Sequence, residues 1–436
     1  MAKFTCEKCG KEFTQKSKYD SHNRRKTPCN LSTNELNNDN YSELSVLLTK
    51  QINKDEKKKS GIYFTPPKTI HQTIQLLEPY MENVKNVLEP SCGSCEYLLA
   101  LHKKYNEINI TGIEFNTTIF ESIKTLQNEK IKLYNNDYLK YETTTKYDLI
   151  IGNPPYFVMK KNDVDKYYYD YFEGRPNIFI MFIIKSLQLL EKNGILSFVL
   201  PKNFLNCLYY DKTRKYIKNN FQILHILECN DEYIETEQAT IILIIKNKPE
   251  NNNIYYLDVE PFTIFGIPEN IIKLKSLYND STTLKKLGFT VSVGNVVWNQ
   301  CKNMLTTDKT KTRLIYSSSI KNKKLQIQEY GNDEKKNYIN KKGEKEPLLV
   351  INRGYGVGKY NFEYCLINED FEYLIENHLI CIKYSKPISK EELLSHYEKI
   401  MKSFDHKNTQ EFIRIYFGNN AINTTELCEI FPIYDI

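Results

Sequence analysis

"DLIIGNPPYF", residues 148 to 157, decides how this chain is read. An apolar run of strand character stops at Gly152 and gives way to an asparagine, two prolines and a tyrosine. Proline fixes φ near −65°, has no N–H to donate, and biases the residue before it towards extended backbone. Two in succession therefore hold the Asn153 side chain and the Pro154 carbonyl in a preset geometry at the end of a buried strand. Both groups are hydrogen-bond acceptors, and Tyr156 offers a π-face beside them.

Upstream, from residue 61, short apolar strands alternate with helix-like stretches, which predicts a parallel α/β sheet. "VKNVLEPSCGSCEYLLAL" reads as a strand over Val84 to Leu88, a turn holding Gly93, and an apolar helix. "INITGIEFN" is a second strand ending in Glu114, 21 residues beyond that glycine. A third unit, "KIKLYNNDYL", ends in Asp137 and Tyr138. A glycine lets backbone approach a nucleotide, and an acid at the next strand end takes ribose hydroxyls. Asp137 and Tyr138 suit the binding and covering of an adenine ring. Ligands of open α/β sheets bind beyond the carboxyl ends of the strands, where all three features fall.

Taken together, these motifs resemble an S-adenosylmethionine-dependent amino-methyltransferase of the restriction–modification type, adenine-specific, with its cofactor motifs ahead of the catalytic one. The resemblance covers roughly residues 61 to 248 and implies a Rossmann-like sheet that binds S-adenosylmethionine. "YFTPP" matches the leading cofactor segment, which implies Tyr63, Thr65 and Pro66 at the methionine end. "LEPSCG" matches the strand–turn motif, which brings in Glu89, Pro90, Cys92 and Gly93. Glu114 stands for the ribose acid, and Asp137 with Tyr138 for the adenine contacts. Asn153, Pro154, Pro155 and Tyr156 form the catalytic motif, with Asn153 also at the cofactor. Phe182 stands where the family packs an aromatic on the cofactor. Tyr233, ahead of the apolar strand Thr240 to Ile245, stands where a second aromatic stacks the target base with Tyr156. One departure is Cys95, which occupies the place of a usual second glycine.

The chemistry suits that motif. The exocyclic amine of adenine is a poor nucleophile because its lone pair delocalises into the ring. Two fixed acceptors for its hydrogens favour pyramidalisation and need no strong base. In double-stranded DNA the base must first be flipped out, at a cost of a few kcal/mol.

Ahead of residue 61 the sequence differs. Cys6, Cys9 and His22 follow C-x2-C-x12-H spacing, and Cys29 follows after six residues. Four such ligands make a closed, structural zinc site, and a unit of this size needs the metal to fold. The stretch resembles single C2HC fingers found on proteins of large DNA viruses. One finger reads about three base pairs, so it would assist targeting. Residues 31–60, rich in Asn, Ser and Lys, read as a linker, and residues 251–280 as a connector.

Residues 281–436 leave the alternating pattern for short strands and lysine-rich loops, a mixed α+β unit whose placement resembles a target-recognition domain. Amides and aromatics among Lys and Arg suit groove reading and phosphate contact. Trp298 is the single tryptophan, and it fits either a core or an interface with DNA.

Composition agrees with this organisation. With 41% hydrophobic residues over 436 the chain can bury a sizeable core, and no apolar run nears the roughly 18 residues of a membrane span. Eleven cysteines, an odd number whose members beyond residue 30 show no disulfide-like spacing, and a start without an apolar signal region point to an intracellular compartment. The net charge is +6, much of it in the first sixty residues, where it suits a phosphate backbone or merely a solvated face. The reading is thus a DNA adenine-N6 methyltransferase, a monomer acting on double-stranded DNA, with a cognate restriction endonuclease as an open partner. The motif also occurs in enzymes that methylate RNA adenine, cytosine N4 or protein glutamine. A zinc-finger DNA-binding protein with an inactive methyltransferase fold is the alternative from another class.

Overall fold

The computed structural model describes residues 40–231, 233–236, 238–250, 254–330, 334–354, 362–417 and 421–435, and within the first 39 only residues 4, 5, 12, 13, 16 and 19. Near the N-terminus Phe4–Thr5 pairs antiparallel with Glu12–Phe13. The four expected zinc ligands, Cys6, Cys9, His22 and Cys29, lie outside the described residues.

The alternation from residue 61 builds a seven-stranded sheet. Its strands are β1 (Asn86–Glu89), β2 (Asn109–Glu114), β3 (Ile131–Asn135), β4 (Tyr147–Gly152), β5 (Leu190–Pro201), β6 (Gln222–Cys229) and β7 (Thr240–Lys246). Their spatial order is β3-β2-β1-β4-β5-β7-β6. The first five run parallel, and β7 is inserted antiparallel between β5 and β6. This is the Rossmann-like frame that the motifs imply. The chain reverses its direction of travel across the sheet between β1 and β4, so the crevice at their carboxyl ends is the natural ligand site.

Helices cover both faces: α1 (Glu43–Gln51), α2 (Lys54–Ser60), α3 (Pro67–Leu77), α4 (Glu96–Lys104), α5 (Thr117–Ile123), α6 (Ile178–Leu189) and α7 (Asp211–Asn220). Strand residues divide with period two. Leu149, Ile151, Ile242 and Ile244 face a core shared with α1, α3, α4 and α5. Ile150, Ile241, Leu243 and Ile245 face the core of α6 and α7. The α6 sequence "IFIMFIIKSLQL" is apolar all round and accordingly buried all round.

Residues 43–60 are a correction to the linker expectation, since they form α1 and α2. Ser42 and Asn53 cap the two helices by accepting from Ser45 N and Glu56 N. Leu48 and Ile52 are buried, each contributing roughly 1.5–3 kcal/mol. Gly61, at φ +65°, ends α2 in the left-handed conformation.

Beyond the sheet, the hairpin Tyr256–Val259/Phe262–Phe265 and helix α8 (Pro268–Leu277) occupy the expected connector. Two four-stranded sheets follow. The first runs Phe289–Val293, Leu379–Tyr384, Leu348–Asn352, Tyr364–Ile367, wholly antiparallel. The second runs Leu305–Thr306, Tyr338–Ile339, Thr312–Ile315, Tyr373–Ile375, with its last pair parallel. Helix α9 (Lys390–Asp405) begins in a capping box of Ser389 and Glu392 and packs on the first of these sheets through Tyr397 and Ile400. Trp298 is half-buried against a small core, with Lys302 and Lys335 over its ring. Arg214, wholly buried, ties α7 to the hairpin by donating to the Thr263 carbonyl at 2.6 Å. Among the described residues no helix is long and apolar enough to cross a membrane, and no group of His, Cys, Asp or Glu could hold a metal ion.

Candidate active site

The carboxyl ends of β1, β2 and β4, with the turn after β3, enclose a cavity of about 310 Å³, within the range of small-molecule sites. Among the anticipated residues, Tyr63, Pro90, Gly93, Glu114, Asp137, Tyr138, Asn153, Pro155 and Phe182 line it. Thr65, Pro66, Glu89, Cys92, Pro154, Tyr156 and Tyr233 are not part of that lining.

The turn after β1 is fixed from below. Cys92 N donates to the Ile113 carbonyl at 2.9 Å, and Cys95 N to the Cys92 carbonyl at 2.7 Å. Gly93 sits at φ +49° and its N–H donates to Glu114 Oε2 at 2.9 Å. Glu114 Oε1 accepts from Asn116 N at 2.7 Å, so both oxygens already meet backbone donors yet keep lone pairs for a ligand. Burial pushes the Glu114 carboxyl up to about 7, against the backbone N–H groups of Asn116, Gly93 and Phe115. Burial, and after it the nearby Cys95, hold the carboxyl of Glu89, at the end of β1, well above the usual carboxylate range, and its Oε2 is buried without a partner among the described residues. Cys95 caps α4 at φ 63°, so the residue in the place of the second glycine keeps a glycine-like backbone.

After β3, Asp137 accepts from Leu139 N at 3.0 Å through Oδ1, and its Oδ2 lies 3.7 Å from the Lys140 ammonium. Tyr138 is a wall and not a lid: it is buried, its hydroxyl meets Ser186 Oγ at 2.9 Å, and its ring stands 5.0 Å from that of Phe182.

The Asn-Pro-Pro-Tyr turn after β4 is held on each side. Asn153 Nδ2 donates to the Tyr63 carbonyl at 3.3 Å, and the Asn153 carbonyl accepts from Ser91 Oγ at 3.2 Å. The Tyr156 hydroxyl lies 2.5 Å from Asn153 Oδ1 and 2.7 Å from the Val199 carbonyl. An amide oxygen has two lone pairs, so Asn153 Oδ1 can accept a further hydrogen beside that of Tyr156. No described residue donates to the Pro154 carbonyl.

Tyr233 is buried, and no described residue hydrogen-bonds its hydroxyl. Burial raises its phenol, while Thr240 and Asn153 lie near enough to moderate the rise. It also raises the phenol of Tyr156, after burial itself.

Sequence reasoning missed residues 40–61, which with Thr69 bond to the loops at the carboxyl edge on either side of YFTPP. Ser42 Oγ donates to Glu96 at 2.6 Å and Ser45 Oγ to Ser94 at 2.7 Å, which grips the turn before α4. Asn116, after β2, donates to Glu56 at 2.8 Å. Lys57, 4% exposed, donates to the Thr49 carbonyl at 2.6 Å and to Glu235 at 2.7 Å. Thr69 Oγ1 donates to Asp231 at 2.7 Å. Gly61 lies against the Tyr156 backbone. The capping Asn53 and the "SG" at 60–61 are faint signals for these helices, and nothing in sequence marks Lys57 among its lysine neighbours.

Comparison with known proteins follows the same outline. Residues 40–234 match the family described as Eco57I restriction-modification methylase, so the match begins at the helices first read as linker. The chain is 26% identical over 416 residues to Modification methylase CviBIII of Paramecium bursaria Chlorella virus NC1A, covering 92% of this chain and 100% of that one. It is 26% identical over 404 residues to Type II methyltransferase M.CvrRI of Paramecium bursaria Chlorella virus XZ-6E, covering 90% and 99%. To Type II methyltransferase M.AccI of Acinetobacter calcoaceticus it is 29% identical over 254 residues, covering 53% and 46%.

Proposed function

We propose that this chain is an S-adenosylmethionine-dependent DNA methyltransferase acting on the exocyclic N6 amine of an adenine flipped out of double-stranded DNA. The observation that carries the reading is the Asn-Pro-Pro turn at the cofactor cavity: Asn153 and Pro155 line it with Gly93, Glu114 and Asp137, and no described residue donates to the Pro154 carbonyl between them. The names of the viral and bacterial relatives, modification and type II methyltransferases, support DNA as the substrate.

The residues fit the cofactor. Glu89 has a buried oxygen without a partner among the described residues, suited to the ammonium of the methionine end. Glu114 suits the ribose hydroxyls, Asp137 the adenine amine, and Tyr138 with Phe182 an apolar wall for the ring. Bound there, S-adenosylmethionine supplies an electrophilic methyl group on sulfur. Asn153 Oδ1 and the Pro154 carbonyl each accept one hydrogen of the target amine, which turns its lone pair out of conjugation. Tyr156 and Tyr233 clamp the flipped ring between π-faces. The preset acceptors stabilise charge as it develops on nitrogen, and the surplus proton leaves to solvent.

Residues 281–436 would read the sequence, and a zinc held by Cys6, Cys9, His22 and Cys29 would fold the N-terminal module; both rest on the sequence reading. The test is to sequence DNA from cells making the protein, with detection of modified bases. N6-methyladenine at one fixed sequence, lost on Asn153→Ala, is expected. Nucleoside mass spectrometry separates it from N4-methylcytosine, and unmodified DNA would refute the proposal.

A further inference from the structure

Tyr233 sits in a segment between β6 and β7 whose described residues form neither helix nor strand. No ladder of backbone hydrogen bonds fixes it, yet a stacking aromatic must be held to a fraction of an ångström. The two acids flanking it at equal distance in sequence, Asp231 and Glu235, are both tied to the N-terminal helices. Asp231 accepts from Thr69 Oγ1 at 2.7 Å and faces Lys68 at 3.3 Å. Glu235 faces Lys57 at 2.6 Å.

Lys57 is an expensive residue for this place. Its ammonium is almost wholly out of water, and a buried ion pair seldom gains more in attraction than it loses in desolvation. What such a pair supplies is a fixed geometry. The Lys57 ammonium is directed by the Thr49 carbonyl on α1 and meets Glu235 on the other side, so the carboxylate has one place to sit. α2 then runs through Gly61 to Tyr63, whose carbonyl takes the Asn153 amide. The same rigid stretch therefore sets both Asn153 and the segment of Tyr233.

We propose that Lys57–Glu235, with Thr69–Asp231, are positioning pairs that hold Tyr233 at the stacking distance from Tyr156. The inference rests on the reading of Tyr233 as a base-stacking residue. None of the four touches the reacting atoms.

The full chain with Lys57→Met, Lys57→Arg, Glu235→Gln, Thr69→Val and Tyr233→Ala tests this. Three readouts are compared: cofactor affinity by calorimetry, single-turnover methylation, and the emission of 2-aminopurine replacing the target base in a duplex of the sequenced site. Lys57→Met and Glu235→Gln should leave the cofactor dissociation constant within about threefold and slow methylation by roughly tenfold to a hundredfold, the cost of misplacing a group by about 1 Å. Their 2-aminopurine emission should shift in the direction that Tyr233→Ala shifts it, and Lys57→Arg should recover part of the rate. Glu235 is partly exposed, so its variant keeps the test open if Lys57→Met fails to fold. Wild-type rate and emission in Glu235→Gln and Thr69→Val, while Tyr233→Ala loses both, would overturn the positioning role alone. A Tyr233→Ala protein that matches wild type would overturn the stacking role, and this proposal with it.

Discussion

Gly61 and Tyr156 touch through their backbones: a Cβ on Gly61 would stand 2.6 Å from the Tyr156 amide nitrogen and 3.1 Å from Pro155 Cβ. Backbone cannot swing aside as a side-chain tip can, and Gly61 also needs its positive φ to end α2. Gly61→Ala should therefore shift the Asn-Pro-Pro-Tyr turn, slowing methylation by roughly a hundredfold. Left-handed strain should also cost about 1–2 kcal/mol of stability. Single-turnover rates and urea melts check the two effects; a variant within twofold of wild type in rate would show that the contact is slack.

Asn153 has two duties that substitution can separate. Its Oδ1 is the proposed acceptor for the target amine, and its Nδ2 holds the Tyr63 carbonyl. Asn153→Ala should lose roughly 10²–10³ in turnover, the usual cost of one preorganised polar group. Asn153→Asp keeps an acceptor but loses the donor, so it should fall between alanine and wild type. Calorimetry should find cofactor affinity much less affected than turnover in both.

With Glu114 as the proposed ribose ligand, cofactor binding should depend on pH. Its carboxyl is pushed up to about 7 by burial, and the ionised form is the one that accepts ribose hydroxyls. Below that pH the ligand must displace a proton, so the dissociation constant should fall as pH rises from about 6 through 7 and level off near about 8. Near pH 7 binding should release about half a proton, visible as a heat that varies with buffer ionisation enthalpy. Glu114→Gln should remove this dependence, and proton-neutral binding by the wild type would contradict the assignment.

Cys95 carries a left-handed backbone without being glycine, while its side chain is 1% exposed in the core. Glycine there would relieve strain and lose packing; alanine would lose packing and keep the strain. Cys95→Gly should thus be more stable than Cys95→Ala by about 1 kcal/mol. That order is the reverse of the one at a right-handed helical position. Denaturant melts of the two variants decide it.

The strands around the site were legible because they are short apolar runs between helix-like stretches. Leu149, Ile150 and Ile151 are buried in succession, as a parallel strand covered on both faces requires, and Asn-Pro-Pro allows no continuation of β4. α1 and α2 were not legible. They bury little apolar surface of their own and are held by side-chain bonds to Glu96, Asn116 and Glu235, which no local pattern encodes. Gly61 is required by a contact with residue 156, not by its neighbours. Tyr138 shows the opposite failure, for its type and place were foreseen. Its packing against Phe182, which makes it a wall, depends on a helix that follows forty residues later.

The pairing of Lys57 with Glu235 spans 178 residues, and that of Thr69 with Asp231 spans 162. A chain made from its N-terminus offers α2 and α3 to the ribosome exit long before either acid exists. Through that interval Lys57 has no carboxylate to meet and stays in water. The first five strands can assemble meanwhile, since their neighbours are near in sequence. The mouth of the site closes only when the stretch after β6 arrives, so a nascent chain stalled before residue 231 would carry the floor of the pocket without its rim.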